Sequence, residues 1–374
     1  MFGTNIRKQC SLKLNINHYT RRIRRMSARI TIFMILLLAG TANAKNAYQS
    51  ILDSMKANKV KKAQIAGAVF TVKQDGKIKT HFQTRLKGNT AKKSKNIIHI
   101  ASSSKQFTGA AIAYLESKGK LRLSDRVSKY IRAWPKYAKH VTIEHLIRHR
   151  SGLENYTSSG TCIVRALRGR SAYEAQSIVK WIARQKGLEH KTGTYHYNNS
   201  GYVALARIVE NISGLTFPQF MAKKFFRPLG MKKTTYRQYR SRAPKNVVKT
   251  YSAKGRRIIP TACTWISGDG GVHTNINDLK KWGRFLAGRS SLGSKIPALM
   301  TKKTGTGYGY GLHLNKSVKD MQRIAHNGNF GGAYATIQFV PEKSLFSVVL
   351  VNNGKAKDIG KIGKKLLNQY LKSQ

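Results

Sequence analysis

The sequence predicts an α+β fold: an antiparallel sheet built from strands near the two ends of the chain, flanked by helices, with a large helical region inserted between them. Three observations carry that expectation. In "AGAVFTVKQDGKIKTHFQTR", residues 66–85, apolar and polar side chains alternate on both sides of Asp75-Gly76, the pattern of a hairpin. Beyond about residue 102 the apolar positions recur with a helical period between cap residues. Alternation returns near the end, so the first and last strands are expected to pair.

Taken in order, a short helical lead-in precedes the hairpin. The inserted helices read as "SKQFTGAAIAYLESKG", "TIEHLIRH" opened by Thr142, "AYEAQSIVKWIARQ", "GYVALARIVENISG" closed by Gly214, and "NDLKKWGRFLAG" opened by Asn277. The strands "RIAHNGN", "GAYATIQFVPEK" and "LFSVVLVNN" follow, and "DIGKIGKKLLNQYLKS" is the last helix. A pocket is expected where the insert meets the sheet. With no internal repeat, residues 45–374 read as one domain.

Residues 1–44 differ from the rest. The basic stretch "RRIRRMSAR" leads into a 10-residue apolar run, Ile30 to Ala39, and then into "TANA", the layout of a secretory signal cleaved after Ala44. A membrane-spanning helix needs roughly 20 apolar residues. "MSARITIFMILLLAGTANA" is a complete signal by itself, so Met26 is a second possible start. Removing residues 1–44 takes away eight Lys or Arg and no acid, leaving 62 basic against 14 acidic residues, a net charge of +48. Such a field gathers anions: nucleic acid, anionic lipid or an anionic envelope polymer. Export favours the envelope polymer, and the basic residues are scattered rather than gathered into a nucleic-acid-binding module. A host with a uniformly basic proteome would explain the charge equally well. Cys162 and Cys263, the two cysteines beyond the leader, could form a disulfide or remain buried thiols. Neither has metal-ligand spacing.

The candidate chemistry starts at "ASSSKQ". A serine attacks a carbonyl only when a base takes its proton, and residues i and i+3 of a helix share a face, as Ser102 and Lys105 would. Lysine is a base only when neutral, which burial and nearby positive charge favour. Ser103 to Gln106 also reads S-x-x-Q, a capping box that would put Ser102 outside the helix. S-x-x-K recurs at Ser117/Lys120 and Ser177/Lys180, so spacing leaves both readings open. Tyr197-Asn198-Asn199 is the sole Y-x-N; a phenol can relay a proton and an amide can hold a carbonyl. His326-Asn327-Gly328 is the sole H-x-G, with a glycine that lets backbone approach a ligand. Singly, these three could be a packing tyrosine, a helix cap and a surface histidine. Asp269 and Asp278, in "GDGGVHTNINDL", fit a turn and a helix start, and Glu144 fits a helix N-terminus.

S-x-x-K, Y-x-N and H/K-x-G in this order resemble the three motifs of the penicillin-recognising serine hydrolases. The flanks look like the branch holding class C β-lactamases and serine D-Ala-D-Ala carboxypeptidases. Further matching segments are "GAVFTVKQDGKI", "LRLSDRVSKYI", "VTIEHLIRHRSGLENY", "GDGGVHTNINDLKKW" and "YGYGLHL", so the likeness covers most of residues 60–355. It implies the fold of the serine β-lactamases and transpeptidases. It also implies Ser102 as the acylated nucleophile, Lys105 as proton acceptor or relay, and Tyr197 as second general base or acid. Asn199 would bind the substrate amide, and His326 would be the third-motif cation that meets a substrate carboxylate. Gly328 would allow close approach, and the N–H groups of Ser102 and Asn329 would form the oxyanion hole. No metal or cofactor is implied, and Lys105 and Tyr197 are not ranked as the base. Histidine in the third motif, where class C β-lactamases typically have lysine, looks more like carboxypeptidase, D-aminopeptidase and esterase members and argues against β-lactamase activity. Literal K-T-G strings at Lys191-Thr192-Gly193 and Lys303-Thr304-Gly305 lack the following strand that His326 has; Lys303 is kept as an alternative.

The leading expectation is an exported serine hydrolase acting through an acyl-enzyme on D-amino-acid peptides or esters of the cell envelope, D-Ala-D-Ala carboxypeptidase-like. The alternatives are a β-lactamase or esterase, and a non-catalytic basic envelope-binding protein. In this resemblance Ser102 lies in the first helical turn, so Ser103 is not the N-cap.

Overall fold

The computed structural model describes residues 65–83, 97–158, 175–236, 247–259, 266–354, 358–372 and 374. The leader with its cleavage after Ala44, the helical lead-in, and Cys162 and Cys263 with their candidate disulfide lie outside the described residues.

The described residues open with β1 (Ile65–Val72), β2 (Ile78–Gln83) and β3 (Ile98–His99), then a 3-10 turn (Ala101–Ser104) that runs into α1 (Lys105–Ser117). The insert continues through α2 (Ile143–Ile147), α3 (Ala175–Ala183), α4 (Asn199–Ser213), α5 (Phe217–Met221), β4 (Thr235–Tyr236), β5 (Thr250–Tyr251) and β6 (Arg257–Ile258). It ends with β7 (Val272–Thr274), α6 (Ile276–Leu286) and α7 (Lys295–Thr301). The closing run is β8 (Tyr308–Gly309), β9 (Leu312–Val318), β10 (Met321–Phe330), β11 (Ala333–Val340), β12 (Leu345–Val351) and α8 (Ile359–Lys372).

Seven strands form one antiparallel sheet in the order β2-β1-β12-β11-β10-β9-β8. The expected closure of the first strand on the last is present, with Ile65 opposite Val351 and Thr71 opposite Leu345. Both faces of this sheet are covered, which explains the nearly continuous apolar run of β12. Phe346, Val348 and Leu350 enter the main core with the inserted helices, while Leu345, Val349 and Val351 pack with Leu366, Leu367 and Tyr370 of α8. A second sheet, β3-β7-β4, holds the entry to the serine turn.

Helix ends follow side-chain chemistry. Thr142 caps α2 through a box with His145, and Gly214 closes α4 in the left-handed region at φ 68°. Glu144 sits in the first turn of α2 and pairs with Arg148 at 2.9 Å. The cap of α6 is Asn275, not Asn277: its side chain accepts the Asp278 N–H at 2.9 Å. Asp278 does hold this helix start, accepting from the Lys233 N–H and Thr234 Oγ1. Gly109 marks where α1 meets the β8 end of the sheet, since a Cβ there would lie 1.9 Å from the Tyr310 carbonyl oxygen.

Candidate active site

The three serines of "ASSSKQ" are sorted by the turn they form. Ala101 enters it with φ 46°, a left-handed conformation that a non-glycine residue adopts only under constraint. Ser103 Oγ donates to the His326 carbonyl at 3.2 Å, and Ser104 Oγ accepts the Val272 N–H at 3.2 Å, so both are buried ties to β10 and β7. Ser102 alone remains partly exposed. The Ser103/Gln106 capping box does not form: Gln106 Nε2 donates to the Ser103 carbonyl at 2.8 Å, and Gln106 Oε1 accepts from Trp282 Nε1 at 2.6 Å. Ser102 lies in a 3-10 turn ahead of α1 rather than in its first α-helical turn. The geometry still serves the pair, because i and i+3 eclipse in a 3-10 turn.

Lys105 is fully buried, and its ammonium has three acceptors: Asn199 Oδ1 at 2.7 Å, the Asp269 carbonyl at 2.9 Å and Ser102 Oγ at 3.3 Å. The two shorter contacts occupy two N–H groups whatever the charge state, so the third tetrahedral position faces Ser102. In the ammonium that position is an N–H; in the neutral amine it is the lone pair that can receive the Ser102 proton. The Lys105 Nζ also lies over the rings of Tyr197 and Tyr202, 4.9 and 5.5 Å from their centroids.

Asn199 starts α4 after the cap Asn198, whose Oδ1 accepts the Gly201 N–H at 2.9 Å. The Asn199 amide is held at both ends, with Oδ1 on Lys105 and Nδ2 donating to Thr157 Oγ1 at 2.7 Å. Tyr197 is 37% exposed and packs against His149 with its ring tilted, 4.3 Å between centroids, and the His326 ring is 6.4 Å away. Ser102, Lys105, Tyr197 and Asn199 therefore meet at one place.

His326 stands beside them on β10 in a form the sequence did not suggest. Its Nδ1 donates to the Asn327 carbonyl at 2.6 Å, and its Nε2 lies 2.9 Å from the Tyr308 hydroxyl, a contact open to a neutral ring that accepts and to a charged ring that donates. Burial, then His313 and Lys105, hold its pKa well below the usual histidine value. Burial and a neighbouring Lys105 both work against the positive charge expected at this position. Gly328 is pressed against the serine turn: a Cβ would lie 2.0 Å from the Ile100 carbonyl oxygen. Asn329 follows on β10, opposite Tyr334. Lys191-Thr192-Gly193 lies in a loop tied to Arg150 and Ser151, and Lys303 is exposed after α7. It is His326, not either K-T-G string, that the Ser103 bond ties to the serine turn.

Two contributors escaped the sequence reading. His149, with φ 59°, accepts the Asn198 N–H on Nδ1 at 3.1 Å and packs among Tyr197, Tyr202 and Tyr308, fixing the entry to α4. Asp269 is a turn residue as expected, but its carbonyl holds Lys105 and its buried carboxylate accepts the Tyr156 hydroxyl at 2.8 Å. Burial pushes this carboxyl above its ordinary pKa, and the Lys105 charge opposes that. An Asp269→Asn variant is expected to keep the carbonyl contact and lose the counter-charge. The acid limb of its Ser102 acylation profile should then move to lower pH, as rates measured between pH 5 and 9 would report; an unmoved limb would mean that the carboxylate is only a packing group.

The Beta-lactamase family matches this chain over residues 52–369. The chain belongs to the beta-lactamase family. Penicillin-binding protein 4* of Bacillus subtilis (strain 168) is 28% identical over 269 residues, covering 66% of this chain and 58% of that protein's length. Teichoic acid D-alanine hydrolase of Staphylococcus aureus (strain NCTC 8325 / PS 47) is 25% identical over 336 residues, covering 85% of this chain and 77% of that one. Among solved structures, the octameric penicillin-binding protein homologue from Pyrococcus abyssi superposes with a TM-score of 0.72 at 24% identity, over 88% of this chain and 77% of that chain. At that identity the likeness is one of fold, and it agrees with the α+β architecture expected of this beta-lactamase-family protein.

Proposed function

We propose that this protein is an exported serine hydrolase that acts through an acyl-enzyme on D-amino-acid peptides or esters of the cell envelope. The observation that carries the proposal is the Lys105 amine, two of whose positions are filled by Asn199 and Asp269 so that the third faces Ser102 Oγ. The Ser102 proton passes to Lys105, directly or by way of Tyr197, as Oγ bonds to the substrate carbonyl carbon. The carbonyl oxygen takes the negative charge and is met by the N–H groups of Ser102 and Asn329. The C–N or C–O bond then breaks, the leaving group takes the proton, and water hydrolyses the Ser102 ester.

The relative named as a teichoic acid D-alanine hydrolase supports a D-alanyl substrate, and the one named as a penicillin-binding protein supports reaction with a penicillin. The basic leader with its apolar run supports export. Between peptide and ester, D-Ala-D-Ala peptide cleavage fits the +48 field, which draws a terminal carboxylate. Ester cleavage is favoured by the burial of His326, which works against a positive charge that would meet that carboxylate. Release of D-alanine from a D-Ala-D-Ala peptide and from a D-alanyl ester, each compared with Ser102→Ala, tests the reading. D-alanine release that depends on Ser102 is expected, with slow turnover of a chromogenic cephalosporin. Rapid cephalosporin turnover with no D-alanine release would make the protein a β-lactamase instead.

A further inference from the structure

Between the sheet and the start of α8 lies a cavity of about 340 Å³ whose lining includes Lys316, Arg323, Asn327, Lys361 and Lys364 together with His326 of the candidate active site. Register and hydrogen bonds place it. Ala325 is opposite Gln338 and Asn327 is opposite Thr336, and Gln338 Nε2 donates to the Gly360 carbonyl at 2.8 Å, so these residues face the start of α8. A Cβ on Gly360 would lie 2.6 Å from Asn327 Nδ2, so the first turn of α8 is seated closely on β10 and the cavity has a fixed wall.

Four cations converge there from β9, β10 and α8. Lys316 and Arg323 are direct cross-strand partners, an arrangement in which like charges are destabilising. Lys361 and Lys364 add two more charges one turn apart, close to a helix N-terminus that itself favours negative charge. Arg323 is half-buried; its Nη1 donates to Gln338 Oε1 at 2.8 Å and its Nε to the Ser317 carbonyl at 3.3 Å, both neutral acceptors. Among the described residues no ion pair joins Lys316, Arg323 or Lys364 to a carboxylate. The one acid, Asp358, pairs with Lys361 at 3.3 Å at the solvated rim. Burial pushes His313 down to about 4 and His326 well below the ordinary value, so neither ring adds to the cations.

We propose that this cavity, which shares His326 with the candidate active site, is a binding site for a phosphate-bearing anion. A scattered surface charge is a solvated background in so basic a chain; this place differs in being concave and in drawing cations from the sheet and from α8. A tetrahedral phosphate presents oxygens in several directions and can accept from Arg323 and from lysines on both walls at once, whereas a planar carboxylate would be served by Arg323 alone. The proposal does not rest on the catalytic reading.

Calorimetric titration of the purified protein tests it, with inorganic phosphate, glycerol phosphate as a monoester and glycerophosphoglycerol as a diester, at an ionic strength fixed with sodium chloride. Saturable binding at one site is expected. Lys316→Gln/Lys364→Gln, which breaks no ion pair, should weaken it about tenfold or more, the loss of roughly one strong contact. Lys136→Gln/Lys302→Gln removes the same charge at exposed positions elsewhere and should bind as the parent does. Preference for phosphate or the monoester would identify a free phosphorylated metabolite, and equal or better binding of the diester an envelope polymer. Equal weakening in both double variants, or no saturation with any probe, would overturn the site and leave only the general field of the chain.

Discussion

Replacing Lys105 with methionine is expected to slow acylation of Ser102 by about a thousandfold or more, within the range for loss of a positioned proton acceptor. Methionine fills nearly the same buried volume, so the loss should not come from unfolding. Asn199 Oδ1 and the Asp269 carbonyl would each lose a donor, at a cost on the order of 1–3 kcal/mol. The rate of labelling by a fluorescent penicillin, read beside the melting temperature, checks this. A labelling rate within tenfold of the parent would show that Tyr197 alone takes the proton and that Lys105 is a structural cation.

The second large effect is acid destabilisation beginning near pH 6.5. His99, His149 and His326 are buried, and burial holds all three well below the usual histidine value. In the unfolded chain they take up protons as pH falls through about 6.5, while in the folded protein they stay neutral. The unfolded state then binds more protons, so stability is full above that pH and lost below it. Each group contributes about 1.4 kcal/mol per pH unit over this window. Asp269 acts with the opposite sign, its raised pKa favouring proton uptake by the folded state, but it stands against these three and against His81 and His313, which burial pushes down to about 4. The loss grows as pH falls below about 6.5, and a typical domain has only roughly 5–15 kcal/mol of stability to lose. Melting temperatures should fall steadily from pH 7 to pH 4.5. His99→Gln keeps an acceptor for the Gly271 N–H and should flatten the slope by one histidine's share. A flat profile in the parent protein would mean that these rings find protons or water in the folded state.

Much of the frame was legible because it is written in short-range patterns. Alternation around Asp75-Gly76 and the apolar run of β12 locate strands that do pair, and Thr142 and Gly214 mark true helix ends. Asn275 was legible too and was passed over: Asp278 stands three residues after it, the stronger cap signal, while Asn277 has only Lys280 there. The strands β8 and β9 were hidden by the glycine-rich "TGTGYGYG" and by polar residues in "LHLNKSV". The second sheet is built from pieces of two and three residues, and its pairing is decided only by tertiary contact.

At the site, the residue types carried the chemistry and the fold supplied what types cannot state. Spacing left Ser102 and Ser103 level; the burial of Ser103 and Ser104 against β10 and β7 separates them. No pattern in "GDGG" says that the Asp269 carbonyl points at Lys105, because a backbone acceptor has no letter. The motif gives His326 its place but not its surroundings: the burial, the nearby His313 and Lys105, and the Tyr308 contact that bear on its charge come from packing.

The most direct test is to treat the protein with a fluorescent penicillin, digest it and locate the label by mass spectrometry. Label on a peptide containing Ser102, absent from Ser102→Ala, is the predicted result. Label on Ser103, on Ser104 or elsewhere, or no label together with no ester hydrolysis, would contradict an acyl-enzyme formed at Ser102.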